Sequence, residues 1–182
     1  LRLIPNLDVI RPADPEETAG AFVAAIERND GPTGLILTRQ NVPNLSQIPV
    51  SVRRQGVLQG GYIARKEEGE LELIILASGS EVSLALEAAE KLGPSVRVVS
   101  MPCMELFDNQ SEKYKKNLIE ENSLIVTLEA GSITSWQKYI KNKGLNLGID
   151  QFGESAPYKE IYDHFNLTEE KITNFIQKKL RE

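Results

Sequence analysis

Apolar residues fall into two kinds of pattern that alternate along the chain. Nearly continuous short runs are typical of buried strands, and apolar residues three and four apart are typical of helices. The runs predict strands at 33–39, 62–66, 71–77, 96–101, 123–128 and 147–152; the spaced pattern predicts helices at 15–28, 81–92, 111–120, 157–165 and 168–180, and one around Trp136. Such alternation predicts a three-layer α/β/α fold with a mostly parallel sheet between helices.

The first predicted helix has a recognisable start. Asp14 suits the N-cap, Pro15 suits the first helical position, and Glu17 stands three residues after the cap. Four apolar residues then recur on one helical face, namely Ala21, Phe22, Ala25 and Ile26. The segment therefore predicts an amphipathic helix that ends near Asn29.

The periodic pattern is lost between residues 41 and 60. Asparagine, proline, serine and glutamine dominate the start of this stretch, and Gly60-Gly61 closes it. We interpret residues 44–60 as a linker without helix or strand. Residues 1–43 are then the end of one domain, a remnant of a second α/β unit, and residues 61–182 form the main domain.

Composition excludes several classes of partner. The 182 residues are 41% hydrophobic, which is enough for a core, and the net charge is −5. An acidic chain does not suit nucleic acid, and it offers no polybasic segment to a membrane. No apolar run approaches the roughly 20 residues of a membrane-spanning helix. The single cysteine, Cys103, rules out an internal disulfide and favours a reducing, cytoplasmic setting.

Arg39 is the first candidate for chemistry. It ends the predicted strand 33–39, and ligands of parallel sheets collect at the carboxyl ends of their strands. A guanidinium there can hold a phosphate through two donors. A surface arginine or a structural ion pair is the alternative interpretation.

Two strand-to-helix junctions are further candidates. Ser78-Gly79-Ser80-Glu81 resembles an anion-binding turn, but a helix cap uses the same residues and is the favoured interpretation. Glu129 could act as an acid or a base at the sheet edge. With no partner placed beside it by the sequence, a capping or interface role is favoured.

The remaining reactive residues do not form a site. His164 is the single histidine, which is a poor basis for a metal centre or a triad. Cys103 has no basic neighbour in sequence and is interpreted as a small buried residue. Trp136 and Tyr139 are interpreted as core or interface residues. We therefore predict that the chain has no active site of its own.

Several segments, in order, resemble the transketolase family. The resemblance is carried by residues 1–6, 9–14, 30–41, 60–62, 77–82, 98–102, 106–108, 128–131 and 152–157. The segment Asp30-Gly31-Pro32-Thr33-Gly34-Leu35-Ile36-Leu37-Thr38-Arg39-Gln40-Asn41 is similar to the family's "DGPTALxLSRQN" signature, with Thr38 in place of the usual serine. The match covers essentially the whole chain, and the ordered set of motifs is specific.

The resemblance implies a homodimeric enzyme that moves two-carbon ketol units between sugar phosphates in the pentose phosphate pathway, using thiamine diphosphate and Mg²⁺ or Ca²⁺. It implies that this chain holds the end of the pyrimidine-binding domain and the whole C-terminal domain. The family's metal ligands and catalytic histidines have no counterpart here, so we expect the chain to bind no cofactor and to be inactive alone. Arg39 matches the family arginine that binds the sugar phosphate.

The resemblance also implies a C-terminal domain with a five-stranded mixed sheet and one antiparallel strand, which contributes to dimer contact. Two alternatives stay open. The chain could be a free-standing interaction or effector-binding module, or it could belong to a related ketol transferase such as dihydroxyacetone synthase or to one subunit of a split enzyme.

Overall fold

A computed structural model of the protein describes residues 1–140 and 144–181. Its strands are β1 Asp8–Ile10, β2 Thr33–Leu35, β3 Tyr62–Arg65, β4 Leu73–Ala77, β5 Val96–Ser100, β6 Leu124–Leu128 and β7 Leu145–Leu147. Its α-helices are α1 Pro15–Glu27, α2 Val50–Leu58, α3 Glu81–Leu92, α4 Met104–Asp108, α5 Glu112–Leu118, α6 Tyr158–His164 and α7 Glu169–Leu180, and Ile133–Tyr139 forms a 3₁₀ helix.

Five strands form the central sheet in the order β3-β5-β4-β6-β7. β3 runs antiparallel to β5, and the other neighbours are parallel. The predicted α/β class, the mixed and mostly parallel sheet and its single antiparallel strand are confirmed. All five residues of the central strand β4 are buried, because helices cover both faces.

The side chains of β4 alternate between two apolar clusters. Leu73, Ile75 and Ala77 pack into one cluster with residues of α3 and α7. Ile74 and Leu76 pack into the other, which contains the 3₁₀ helix and residues of α4 and α5. This period of two places a complete core on each face of the sheet.

The predicted linker contains a helix, α2, so the expectation of no regular structure in residues 44–60 is wrong. The helix buries only Arg53, Gly56 and Val57, and its mixed polar surface hid the helical period in the sequence. It packs closely on α1: a Cβ at Gly20 would lie 2.8 Å from the backbone oxygen of Arg54. Tertiary contact with α1 therefore stabilises a segment of weak amphipathicity.

The start of α1 joins the first 43 residues to the main sheet through buried polar groups. Asp14 caps the helix as predicted, accepting from the Glu17 amide at 2.8 Å, and also pairs with the Arg53 guanidinium. The Glu17 carboxylate accepts from the hydroxyls of Tyr62 at 2.8 Å and Ser100 at 2.6 Å. Residues of α1 thereby hydrogen-bond directly to β3 and β5.

Other boundaries differ from the sequence prediction. The last strand is β7, not residues 147–152, because only Leu145–Leu147 pair with β6. The predicted helix around Trp136 is a 3₁₀ helix, and the short α4 was not predicted. On α1, Ala21 is buried, but Phe22 and Ile26 are 50% and 80% exposed. Residues 141–143 and 182 of the predicted main domain lie outside the described residues.

Candidate functional site

An open cleft of about 300 Å³ lies at the carboxyl edge of the main sheet. One wall is the segment 36–40, which follows β2. The other wall contains Gly79, in the turn between β4 and α3, and Ala130, which follows β6. Tyr162 of α6 also lines the cleft. The cleft therefore lies where ligands of parallel α/β sheets collect.

Arg39 lines this cleft, although it does not end a strand as predicted. β2 stops at Leu35, four residues earlier, and only the Ile36 amide still bonds back to Ile10, at 2.9 Å. The pairing strand cannot continue, because Arg11 donates its amide to Pro102 and Pro12 has no amide proton. Arg39 consequently lies on a loop at the sheet edge.

The Arg39 side chain is exposed and makes no hydrogen bond or ion pair with residues 1–140 or 144–181. The second arginine of the cleft, Arg11, differs in this respect. Its guanidinium donates to Glu81 at 2.9 Å and to Glu129 at 2.8 Å. Of these two cleft arginines, Arg39 is the one whose donors are available to a ligand.

Glu81 is a buried hub beneath the cleft. Its Oε2 accepts from Arg11 and from the Ala130 amide at 3.0 Å. Its Oε1 accepts from the Ser80 hydroxyl at 2.7 Å and the Tyr162 hydroxyl at 2.5 Å. Four donors around a completely buried carboxylate satisfy both of its oxygens.

Glu129 has a similar role on the neighbouring strand end. It pairs with Arg2 at 3.3 Å and with Arg11, and the indole N–H of the buried Trp136 donates to it. Burial raises the pKa of Glu129, but the two arginine charges and the indole hydrogen bond outweigh burial and hold the pKa below its usual range. Glu129 is therefore a structural anion and is not placed as a proton donor near pH 7.

The turn between β4 and α3 does not cap the helix with a side chain, so the favoured cap interpretation is wrong. Ser80 makes no capping hydrogen bond and instead donates to Glu81. Ser78 accepts from Arg11 at 3.2 Å and Arg2 at 3.4 Å. Gly79 takes a φ of +62°, which turns the chain beneath Arg11. The two serines therefore bond to Arg2, Arg11 and Glu81 and do not cap the helix. The sequence around the turn does not indicate this role, because the arginines come from a distant part of the chain.

The other candidates lie outside the cleft. The Cys103 thiol is buried as predicted, and burial raises its pKa to about 12, so it is a poor nucleophile. Trp136 belongs to the core, also as predicted. His164 is exposed at the last residue of α6.

Sequence reasoning missed Arg2, Arg11 and Tyr162 as members of the polar network at the cleft, and it considered Glu81 only as part of a helix-start turn. Their hydrogen bonds to Ser78, Glu81 and Glu129 join residues that are 67 to 127 positions apart in sequence. The one available signal was the position of Arg11 directly after the apolar run Val9-Ile10. No short-range spacing indicates such pairings.

Two further properties follow from the described part of the chain. Residues 1–140 and 144–181 contain no group of three or more His, Cys, Asp or Glu residues that could hold a metal ion. None of the described helices has the length and apolar character required to cross a membrane.

Two family models match the chain. The transketolase-like TK C-terminal domain matches residues 60–168, and the transketolase pyrimidine binding domain matches residues 1–44. A transketolase from Physarum polycephalum is 52% identical over 173 residues, which is 94% of this chain and 26% of that protein. The chain spans about a quarter of the length of the curated relatives it matches.

Solved transketolases have the same fold. A Pichia stipitis transketolase, solved in complex with sedoheptulose-7-phosphate, matches with a TM-score of 0.89 at 36% identity, over 99% of this chain and 26% of that one. A split-gene transketolase, solved as an inactive tetramer designated beta4, matches with a TM-score of 0.77 at 26% identity. The match covers 99% of this chain and 60% of that one.

Proposed function

Because this chain belongs to the transketolase family, we propose that it is the C-terminal part of an enzyme that transfers two-carbon ketol units between sugar phosphates in the pentose phosphate pathway. Both family models, in the order pyrimidine-binding domain and then C-terminal domain, match it. We assign residues 1–43 to the end of the first domain, 44–60 to a connection that includes α2, and 61–182 to the second.

Arg39 is proposed to bind the phosphate group of the sugar substrate. The observation that carries this role is the position of Arg39 at a cleft on the carboxyl edge of the sheet, where its guanidinium pairs with none of residues 1–140 and 144–181. A guanidinium matches the geometry of a phosphate through two parallel hydrogen bonds. The Pichia stipitis relative forms a complex with a sugar phosphate, sedoheptulose-7-phosphate, which supports the same class of ligand for this chain.

The complete enzyme is proposed to use thiamine diphosphate with Mg²⁺ or Ca²⁺, to be a homodimer and to act in the cytoplasm. The described residues do not fit a metal–diphosphate site, because they contain no suitable cluster of ligands. The cofactor and metal would therefore be held by parts of the enzyme outside this sequence. When bound, thiamine diphosphate supplies the carbanion chemistry that ketol transfer requires.

The chain alone is proposed to be inactive, and its main domain to act as scaffold and dimer interface. The split-gene relative, which was solved as an inactive tetramer, supports this proposal. The buried pairing of Glu129 and the raised pKa of Cys103 also leave these two groups unsuited to catalysis.

The phosphate role is tested by Arg39→Ala in the complete natural polypeptide. Loss of a charge-assisted, bidentate contact should cost about 2–3 kcal/mol, which corresponds to roughly a 30- to 150-fold lower kcat/KM for a phosphorylated acceptor. The loss should appear mainly in KM, and an unphosphorylated acceptor should be little affected. Steady-state kinetics with both acceptors measure the difference.

The matched control is Arg54→Ala, which removes an arginine whose side chain is 56% exposed and pairs with Glu16 on the surface. This variant should leave both acceptors unchanged. Equal losses for the two acceptors in Arg39→Ala would contradict the phosphate role.

A further inference from the structure

The loop that carries Arg39 is held at one internal point. Its start is fixed by the Ile36 amide on Ile10, and beyond its end Leu45 donates its amide to Asp14 at 3.1 Å. Between these points, residues 37–43 make a single hydrogen bond to the rest of the described chain, from the Gln40 side chain to the Tyr162 hydroxyl at 3.1 Å. The residue next to Arg39 therefore supplies the only polar anchor of the loop toward residues 1–140 and 144–181.

The Tyr162 oxygen lies within hydrogen-bond distance of the side chains of Gln40, Ser80 and Glu81. Tyr162 has one proton, and it is donated to Glu81 at 2.5 Å. The Ser80 proton is also directed to Glu81. The lone pairs of the Tyr162 oxygen are thus free to accept from the Gln40 amide, which has its N–H group within range.

This donor state is stable because of its surroundings. Burial and the adjacent Glu81 charge raise the pKa of Tyr162, so the phenol keeps its proton near neutral pH. Glu81 in turn is buried at the start of α3 and fixed by Arg11 and the Ala130 amide. The series of hydrogen bonds from Gln40 through Tyr162 therefore ends at a buried carboxylate that two further donors hold in place.

We propose that Gln40, Tyr162 and Glu81 form a latch that positions the Arg39 loop over the cleft, with Gln40 and Tyr162 as positioning residues for phosphate binding. This inference rests on the proposed phosphate role of Arg39. Without the latch the loop samples more conformations. Phosphate binding must then order the guanidinium, and the entropy lost in doing so weakens the binding. The consequence is weaker binding of phosphorylated substrates with unchanged chemistry.

The kinetic test uses Tyr162→Phe and Gln40→Leu in the complete natural polypeptide. Each should raise KM for a phosphorylated acceptor about five-fold, the factor expected for one neutral hydrogen bond, with kcat unchanged. An unphosphorylated acceptor should show no change in KM. Because both variants break the bond between Gln40 and Tyr162, the double variant should be no worse than Tyr162→Phe alone.

The matched control is Tyr139→Phe. It also removes a tyrosine hydroxyl that donates to a carboxylate, that of Asp108 at 2.8 Å, but it belongs to the apolar cluster on the other face of the sheet. Its KM for both acceptors should equal that of the unmodified enzyme. If Gln40→Leu acted alone while Tyr162→Phe had no effect, Gln40 would contact substrate directly and the latch would be refuted.

A second readout does not depend on phosphate binding. Trypsin cleaves after arginine, so the Arg39–Gln40 bond reports directly on the freedom of this loop. Tyr162→Phe and Gln40→Leu should speed cleavage at this bond several-fold relative to all other sites, as followed by mass spectrometry, and Tyr139→Phe should not.

The two readouts separate the possible failures. If Arg39→Ala leaves phosphate selectivity unchanged but both latch variants speed cleavage after Arg39, the phosphate role fails and the latch stands. If Arg39→Ala behaves as expected but neither latch variant changes cleavage or KM, the latch is overturned.

Discussion

Glu17 is a carboxyl group whose ionisation the fold opposes in the neutral pH range. Its carboxyl is completely buried between α1 and the main sheet, where it accepts from Tyr62, Ser100 and the Ala13 amide at 2.7 Å. Burial raises its pKa from 4.5 to about 7, although the three donors act in the opposite direction. We therefore expect the contact between α1 and the main sheet to depend on pH.

The raised pKa predicts the sign of the pH dependence. Below about pH 4.5 the group is protonated in the folded and the unfolded state; between about 4.5 and 7 only the folded state keeps the proton. The protonated carboxyl thus contributes stability at low pH, and this contribution is lost as pH rises toward 7. The total is about 3 kcal/mol, from about 1.4 kcal/mol for each unit of pKa shift.

Glu17→Gln provides the comparison. The neutral amide can accept from Ala13 and donate to the hydroxyls of Tyr62 and Ser100, so it retains the hydrogen bonds without a titrating group. Melting temperatures measured from pH 5 to pH 8 should fall more with rising pH in the original protein than in the variant. Parallel curves would show that Glu17 does not titrate in this window.

At the same scale, the sequence predicted single residues well when the cause is local. Asp14 caps α1 as predicted, because the cap depends on residues three positions away. Cys103 is also buried as predicted, although the residues that cover it, Ile10, Ala21 and Val57, are distant in sequence. The network of Arg11 with Glu81 and Glu129 was not predictable, because its members meet only after the sheet has brought distant segments together. The phosphate role of Arg39 stays a prediction.

At the scale of elements, the end of β7 was misplaced by five residues, but β3 to β6 were predicted to within about two residues because their apolar runs are nearly continuous. β4 and β6 are the best examples, being buried almost completely. α2 was missed because its partner, α1, and not its own apolar pattern, stabilises it. β2 was overestimated because Pro12 removes the amide that a longer strand would pair with.

The close packing of α1 on α2 gives an element-scale prediction. Gly20→Ala would place a Cβ 2.8 Å from the Arg54 carbonyl oxygen and 3.1 Å from the Val57 Cβ, so the α2 backbone must move. We expect a loss of about 1–3 kcal/mol in the free energy of unfolding, measured by chemical denaturation, despite the better helix propensity of alanine.

Gly153→Ala is the control for this substitution. Its added Cβ would meet no atom within 4 Å, and the position lies in an exposed segment, so stability should change by less than about 0.5 kcal/mol. If Gly20→Ala were as stable as the original protein, the helices would not be in close contact at this point.

At the scale of the whole molecule, the two parts of the chain differ in how completely they bury their apolar residues. The main sheet has a core on both faces. The first 43 residues contain a sheet of only two strands and expose eight large apolar side chains, namely Leu1, Leu3, Ile4, Phe22, Val23, Ile26, Ile36 and Leu37. This contrast is expected if the first part is completed by the remainder of a pyrimidine-binding domain, as the family match supports.

The two parts of the chain also differ in what they contribute to the proposed function. Arg39 lies on the first part, and the residues that hold its loop lie on the main domain. Under the proposed function, the main domain fixes the geometry of a substrate contact without supplying reactive groups.

Cofactor binding by the isolated chain tests most directly the proposal that this chain is inactive alone and does not hold the cofactor. The purified 182-residue chain and the complete natural polypeptide would be titrated calorimetrically with thiamine diphosphate and Mg²⁺ and assayed for ketol transfer, with circular dichroism to establish that the short chain is folded. The complete polypeptide should bind and turn over, while the folded short chain should show neither saturable binding nor transfer. Saturable binding of thiamine diphosphate or ketol transfer by the short chain alone would contradict the proposed role.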